Sequence, residues 1–329
     1  MLKKTVAALI SGLIFSFSAG CGHQSSINDP LADSGIYQTA GKKALGRGPA
    51  ITVATYNIKT LFKALKTNKA KADKVAVALG KAIHEINADV IAFEEVESIP
   101  AFKSFSEKYL KDMNYNFYSR ENTSGKLNNV AVLSRFKVTS VNRSKNIKSL
   151  NNEPVQEVPL PTEHMFELNF KGTNNYDFTL FVTYLKPLSA GYKSEQRDID
   201  IESIKRFVIA YQKKDFLHNF VIAGNLNEVP SAPELATILD PRSSGLNTHD
   251  VVSEDLGNGP ETNTVFDPQN PKRVDYLLVS AGVFNEYVTG SVKIYKPEQQ
   301  SQTLKNDFFY QASDHLPISA KLDVSTDTL

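Results

Sequence analysis

Cysteine is nearly absent: Cys21 is the only one in 329 residues. The folded part of the chain therefore has no disulfide framework and depends on buried apolar area. Excess charge is also missing, since 37 Lys and Arg against 36 Asp and Glu leave a net +1. That excludes a global basic field drawing the whole protein to nucleic acid or to an anionic membrane, though not a local basic face. No internal repeat and no low-complexity tract interrupts the chain. What is present is 41% hydrophobic and 22% charged residues, the profile of a soluble globular protein with length for one large domain or two ordinary ones.

The N-terminus departs from that profile. A basic start, "MLKK", leads into the apolar "TVAALISGLIFSF" and then into "SAGC", which ends at Cys21. The apolar stretch is too short for a stable membrane span and reads as an export signal over residues 1–21. Small residues before a lone cysteine resemble a bacterial lipoprotein cleavage site, with Ser18 where such sites usually carry leucine. An ordinary signal peptide with an incidental cysteine is the alternative. Residues 22–48, rich in Gly, Ser, Asn and Ala, read as a tether. An ordered domain is expected over 49–324, with 325–329 as a tail.

Within that domain strand and helix patterns interleave. "ITVATYNI" alternates as a strand does, and "DVIAFEEV" is an apolar strand ending in acids. "NKAKADKVAVALGKAIHEIN" places Val75, Leu79, Ala82 and Ile86 on one helical stripe, as a second stretch does with Ile201, Ile204, Val208 and Tyr211. "HMFELNF" and "YDFTLFVTYL" form an antiparallel pair across the turn "KGTNN". "NFVIAG", "RVDYLLVS", "EYVTGSVKIY" and "HLPISAKLDV" are further strands. Many strands, several of them antiparallel, with two or three long helices predict an α/β protein of two packed sheets with helices outside.

Polar groups close or open six of the apolar strands. They are Asn57; Glu94, Glu95 and Glu97; Tyr184; Asn225, Asn227 and Glu228; Arg273 and Asp275; and Asp314 with His315. Gathered on one rim, these ends would offer oxygen ligands to a hard divalent cation and an imidazole to act as acid, base or phosphate partner. Each alone has an ordinary explanation: Asn57 as a turn former, Glu95 or Asp314 as a cap, His315 as a structural histidine, Asp275 as the partner of Arg273 in a surface ion pair. Their order along the chain carries the argument. "TYNI", "DVIAFEEV", "VAVLSR", "FVTYLKP", "VIAGNLNEVP", "RVDYLLVS" and "SDHLPISAKL", over about residues 51–323, resemble the endonuclease/exonuclease/phosphatase superfamily.

The resemblance implies a four-layer α/β sandwich, two mostly antiparallel sheets flanked by helices. It also implies cleavage of phosphate esters dependent on Mg²⁺, with Mn²⁺ as a substitute. Carried over by motif, Glu95, Asn57 and Asp314 belong to the metal region. His315 meets the scissile phosphate, Asp275 orients His315, and Asn227 faces the phosphate. Tyr184 stands where many branches carry histidine and the apurinic-endonuclease branch carries tyrosine. Asn225 stands where the family motif "GDxN" has an aspartate that prepares the attacking water. An amide keeps the shape but accepts no proton at neutral pH, and loss of a general base costs about 10²- to 10⁴-fold in rate. A nuclease-like phosphodiesterase or phosphatase is therefore expected, with a catalytically impaired phosphoester-binding module as the alternative and a structural envelope lipoprotein as a third reading. Expected partners are a phosphoester, nucleic acid among the candidates, and a membrane reached through lipid on Cys21, in the outer membrane or periplasm. The substrate rim is expected in three loops, residues 119–129, 144–164 and 239–273, of which the first two carry Arg120, Lys126, Lys145 and Lys148, without the interleaved aromatics of a base-stacking surface.

Overall fold

The computed structural model describes residues 50–59, 69–120, 129–142, 165–171, 176–188, 193–239, 247–267, 269–297 and 307–325. The expected signal, Cys21 and the tether lie outside the described residues, as do most of the first two rim loops, with Lys126, Lys145 and Lys148.

Among the described residues twelve strands form two six-stranded sheets. The first runs β11 (Lys293–Ile294), β12 (Ile318–Asp323), β1 (Ala50–Asn57), β2 (Val90–Glu94), β4 (Val130–Ser134), β3 (Asn116–Arg120). The second runs β5 (Val138–Asn142), β6 (Met165–Lys171), β7 (Asp177–Tyr184), β8 (Phe220–Asn225), β10 (Asp275–Ser280), β9 (Thr248–Asp250). Only β1–β2 and β7–β8 pair in parallel. A parallel pair needs a long crossover. Helix α1 (Lys69–Ile86) makes the first and α3 (Ser194–Lys214) the second. The remaining helices are α2 (Ile99–Tyr109), α4 (Pro233–Leu239), α5 (Val251–Leu256), α6 (Ala281–Glu286) and α7 (Phe308–Ala312).

Side-chain alternation divides the core into three. Facing residues of the two sheets, among them Val53, Val132, Leu168, Leu180, Ala223 and Leu277, form the central layer. The other face of the first sheet packs Phe93, Phe117 and Leu133 against Leu79, Ala82 and Ile83 of α1 and Phe102 of α2. The other face of the second sheet packs Phe181, Ile222 and Leu278 against Ile201, Ile204 and Val208 of α3 and Leu235 of α4. The result is the helix–sheet–sheet–helix sandwich that the patterning predicts. Both helical stripes face inward as their periodicity requires, with Val75 and Tyr211 at the partly buried margin.

One element is shorter than its sequence pattern. Of "EYVTGSVKIY" only Lys293–Ile294 pairs as a strand, besides an isolated bridge between Tyr287 and Leu322. A turn interrupts it: Gly290 has φ +78°, and Asp255 accepts from the N–H of Gly290 at 2.8 Å and of Val292 at 2.9 Å. An apolar alternation cannot reveal a turn held by a distant carboxylate.

Candidate active site

The register puts the polar strand ends on one edge. In the first sheet Asn57 lies level with Glu94 across the parallel pair, and β12 arrives antiparallel, so residues 313–317 pass beside the end of β1. In the second sheet Tyr184, Asn225 and Asp275 lie in one row across β7, β8 and β10. Gly224 makes that row possible. Its φ is +146°, and a Cβ there would come within 1.9 Å of the carbonyl oxygen of Thr183.

Glu95 follows β2 directly and adopts φ +53°, a left-handed conformation that Glu rarely visits. Asn227, two residues past β8, has the same φ of +53°. Backbone strain of this kind costs about 1–3 kcal/mol and collects where function over-determines the chain. The Asn57 amide donates to Glu95 Oε1 at 3.0 Å, while its own Oδ1 accepts from the N–H of Lys59 at 3.1 Å. Both ends of the Asn57 side chain are thereby committed, and one of them orients Glu95. The Tyr184 phenol also hydrogen-bonds Glu95 and Asn227. Burial first, and then the charge of Glu95, push that phenol far above its ordinary range, so Tyr184 acts only as a neutral donor. Asn227 donates to the carbonyl of Leu185 at 2.7 Å.

The second cluster is buried. His315 and Asp275 are 4% and 2% exposed, and His315 Nδ1 lies 2.9 Å from Asp275 Oδ2. The proton on Nδ1 points at the carboxylate, which leaves Nε2 without a partner among the described residues. Burial pulls the imidazole down, but the charge and hydrogen bond of Asp275, with Asp314 and Glu95 behind them, reverse this and raise its pKa above the ordinary value. Asp275 does not pair with Arg273. Arg273 instead donates to both oxygens of Asp250, at 3.1 and 2.6 Å, in a buried bidentate pair.

Asn225 belongs to this cluster. Its Nδ2 donates to Asp275 Oδ1 at 2.7 Å and lies 3.4 Å from His315 Nδ1, while its Oδ1 is buried without a partner. Asp275 thus receives a proton on each oxygen, one from the imidazole and one from the amide. An aspartate at 225 would set two carboxylates against each other, which raises the pKa of one of them.

Asp314 completes the rim. Lys59 Nζ stands 3.7 Å from its Oδ2, and its Oδ1 is buried and unpartnered. No three His, Cys, Asp or Glu side chains form a metal cage among the described residues. Mg²⁺ does not ask for one, because it is commonly held by one or two carboxylates plus water and substrate oxygens. Glu95, held by Asn57 and Tyr184, and the open oxygen of Asp314 fit that demand.

The expected residues divide into Glu95–Asn57–Tyr184–Asn227 and Asp275–His315–Asn225, linked by the field that Glu95 and Asp314 exert on His315. Two participants, Lys59 and Arg197, carry no sequence motif. Lys59 pairs with Asp314. Glu94 is wholly buried; burial drives its carboxyl well above the usual range, against the hydroxyl of Thr55, which donates to it at 2.6 Å. Arg197 is fully buried and donates to the carbonyls of Lys186, Leu226 and Asn227 and to Glu228. It ties together the loops leaving β7 and β8. A signal for it existed, since position 197 continues the stripe of 201, 204 and 208 one turn towards the N-terminus. Glu228 is consumed by this clamp.

Solved structures share this architecture. Truncated TDP2 of Caenorhabditis elegans superposes with a TM-score of 0.56 at 17% identity, covering 84% of this chain and 98% of that one. An AP endonuclease from Archaeoglobus fulgidus gives 0.54 at 18% identity, over 83% and 100%. The human Nocturnin catalytic domain gives 0.55 at 16%, over 84% and 95%. At such identities the likeness is one of fold. No curated protein matches the sequence. The sequence profile of the Endonuclease/Exonuclease/phosphatase family, however, spans residues 54–315, from within the Asn57 strand to His315 itself. With strand order and motif order in agreement, the chain belongs to the endonuclease/exonuclease/phosphatase family.

Proposed function

We propose that the protein is an exported, divalent-metal-dependent hydrolase of phosphate esters, a phosphodiesterase of nuclease-like type. The observation that carries this reading is His315, locked by Asp275 through Nδ1 and lying within the field of Glu95 and Asp314 at one rim. A divalent cation held at Glu95 and Asp314 would neutralise charge on the phosphoryl oxygens, the main demand of phosphoryl transfer. Asp275 fixes the His315 tautomer, so that Nε2 presents to the phosphate. Tyr184 holds Glu95 through its one O–H, and Asn227 in turn braces the Tyr184 oxygen against the carbonyl of Leu185. Water enters in line with the departing ester oxygen.

The test is turnover of bis(4-nitrophenyl) phosphate and of single-stranded DNA with Mg²⁺, with Mn²⁺ and with EDTA. Metal-dependent hydrolysis is expected, falling at least about 10²-fold in Glu95→Gln and in His315→Gln. Turnover insensitive to EDTA and to both substitutions overturns the reading.

Asn225 favours a second reading, a phosphoester-binding module with an impaired site. Asn225→Asp separates the two. A rise of about 10²-fold or more from a near-zero rate supports the impaired module. A fall, through repulsion of Asp275, supports an active site in which the amide is the working residue.

Export and lipidation of Cys21 complete the proposal. Fractionation of cells expressing the full chain or Cys21→Ser tests it. Membrane-bound wild type and a soluble variant are expected, and equal distribution overturns the lipid anchor.

A further inference from the structure

A cavity of about 310 Å³ opens between the chain leaving β8, residues 229–231, the chain entering β10, residues 271–273, and Asn258 with residues 262–263. Backbone contacts tie its walls to the segments of the candidate site. The N–H of Leu226 donates to the carbonyl of Val274 at 2.9 Å, which holds the β8 exit beside the β10 entry. Val265 bridges both Lys272 and His315. The segments that carry Asn227, Asp275 and His315 therefore all reach the cavity or its edge.

The lining is rich in donors and contains no carboxylate. Arg273 forms a rigid wall: Asp250 holds it bidentately, it lies over the Tyr276 ring, and its buried Nε has no partner. Asn258 is turned by its oxygen, which accepts from Arg273 at 3.1 Å and from Ser253 at 2.9 Å, so its NH₂ remains to donate. Asn263 and Ser231 add an amide and a hydroxyl. Lys272 has no ion-pair partner among the described residues, whereas Asp250 already neutralises Arg273. One uncompensated cation and several neutral donors, without a carboxylate, select an anion. The volume stands at the lower end of ligand-sized pockets and admits a sugar-phosphate unit.

We infer that this cavity receives a second phosphate of the substrate, next to the one that is cleaved. The preferred substrate is then a nucleotide chain bearing a flanking phosphate rather than an isolated phosphodiester. This inference rests on the phosphoester reading of the adjoining site.

The test compares kcat/KM for the dinucleotide TpT with its 5′-phosphorylated form pTpT, in wild type, Lys272→Ala and Lys272→Arg, with the TpT rate as internal reference. A preference for pTpT of about tenfold is expected in wild type, the scale of one charge-assisted hydrogen bond, retained by Lys272→Arg and lost in Lys272→Ala. A ratio unchanged by Lys272→Ala overturns the inference. If no substrate is turned over, the function proposed above fails instead. Titration of pTpT onto the protein in EDTA then decides the cavity: Lys272→Ala weakens binding if it is the phosphate site, and leaves it unchanged if it is not. Inorganic phosphate bound through Lys272 with no gain for pTpT over TpT assigns the cavity to the free anion and overturns the substrate reading.

Discussion

At the scale of single residues, the site depends on backbone positions as much as on functional groups. Glu95 and Asn227 sit at left-handed φ, and Gly224 at +146° lets β8 close on β7. Gly224→Ala forces a Cβ into the carbonyl of Thr183 and must part the strands that set Tyr184 level with Asn225. The variant is expected to lose about 1–3 kcal/mol of stability in urea denaturation, the usual cost of overpacking, and most of its phosphodiesterase activity. Full activity with unchanged stability would mean that this row is not what holds the site. The neighbouring amide carries a separate lesson. "GNLN" announces a missing carboxylate, but only the structure reveals where Asn225 spends its protons, on Asp275 beside His315.

At the scale of elements, α3 does more than cover a sheet. Its apolar stripe packs on the second sheet, and one turn earlier the same face delivers Arg197 to the loops of Tyr184 and Asn227. Removing a buried cation that satisfies three carbonyls and a carboxylate is costly, because each acceptor is then stranded away from water. Arg197→Met is expected to destabilise by about 3–5 kcal/mol in chemical denaturation, as for other broken buried ion pairs. Loss below about 1 kcal/mol would show that the loops hold themselves. The turn at Gly290 is the opposite case, an element ended by Asp255, a residue on α5 that sequence periodicity gives no reason to consult.

At the scale of the whole molecule, histidine makes stability depend on pH. His249 stacks on Phe284 with ring centroids 3.7 Å apart, and burial lowers its pKa despite the nearby Glu254. A group depressed on folding favours the native state above its unfolded pKa of about 6.5, and that contribution disappears as pH falls through the lower folded value. Melting temperatures between pH 7.5 and pH 5 should therefore fall more steeply in wild type than in His249→Gln. Parallel curves would mean that His249 is accommodated equally well in both charge states.

Much of this molecule was legible before any coordinates. Alternation in "ITVATYNI" and "YDFTLFVTYL", the two helical stripes and the order of seven short motifs determined the layers, the family and the set of polar strand ends, because burial imposes periods of 2 and 3.6 on the chain itself. Pairing between distant segments imposes no such local mark. Only the tertiary structure decided that Asn57 is committed to Glu95, that Asp275 turns to His315 and Asn225 rather than to Arg273, that Arg197 clamps two loops, and that Lys272, without an ion-pair partner among the described residues, lines a cavity beside them. Those are contacts across 11 to 50 residues of chain, and the register of packed sheets is what brings them within bonding distance.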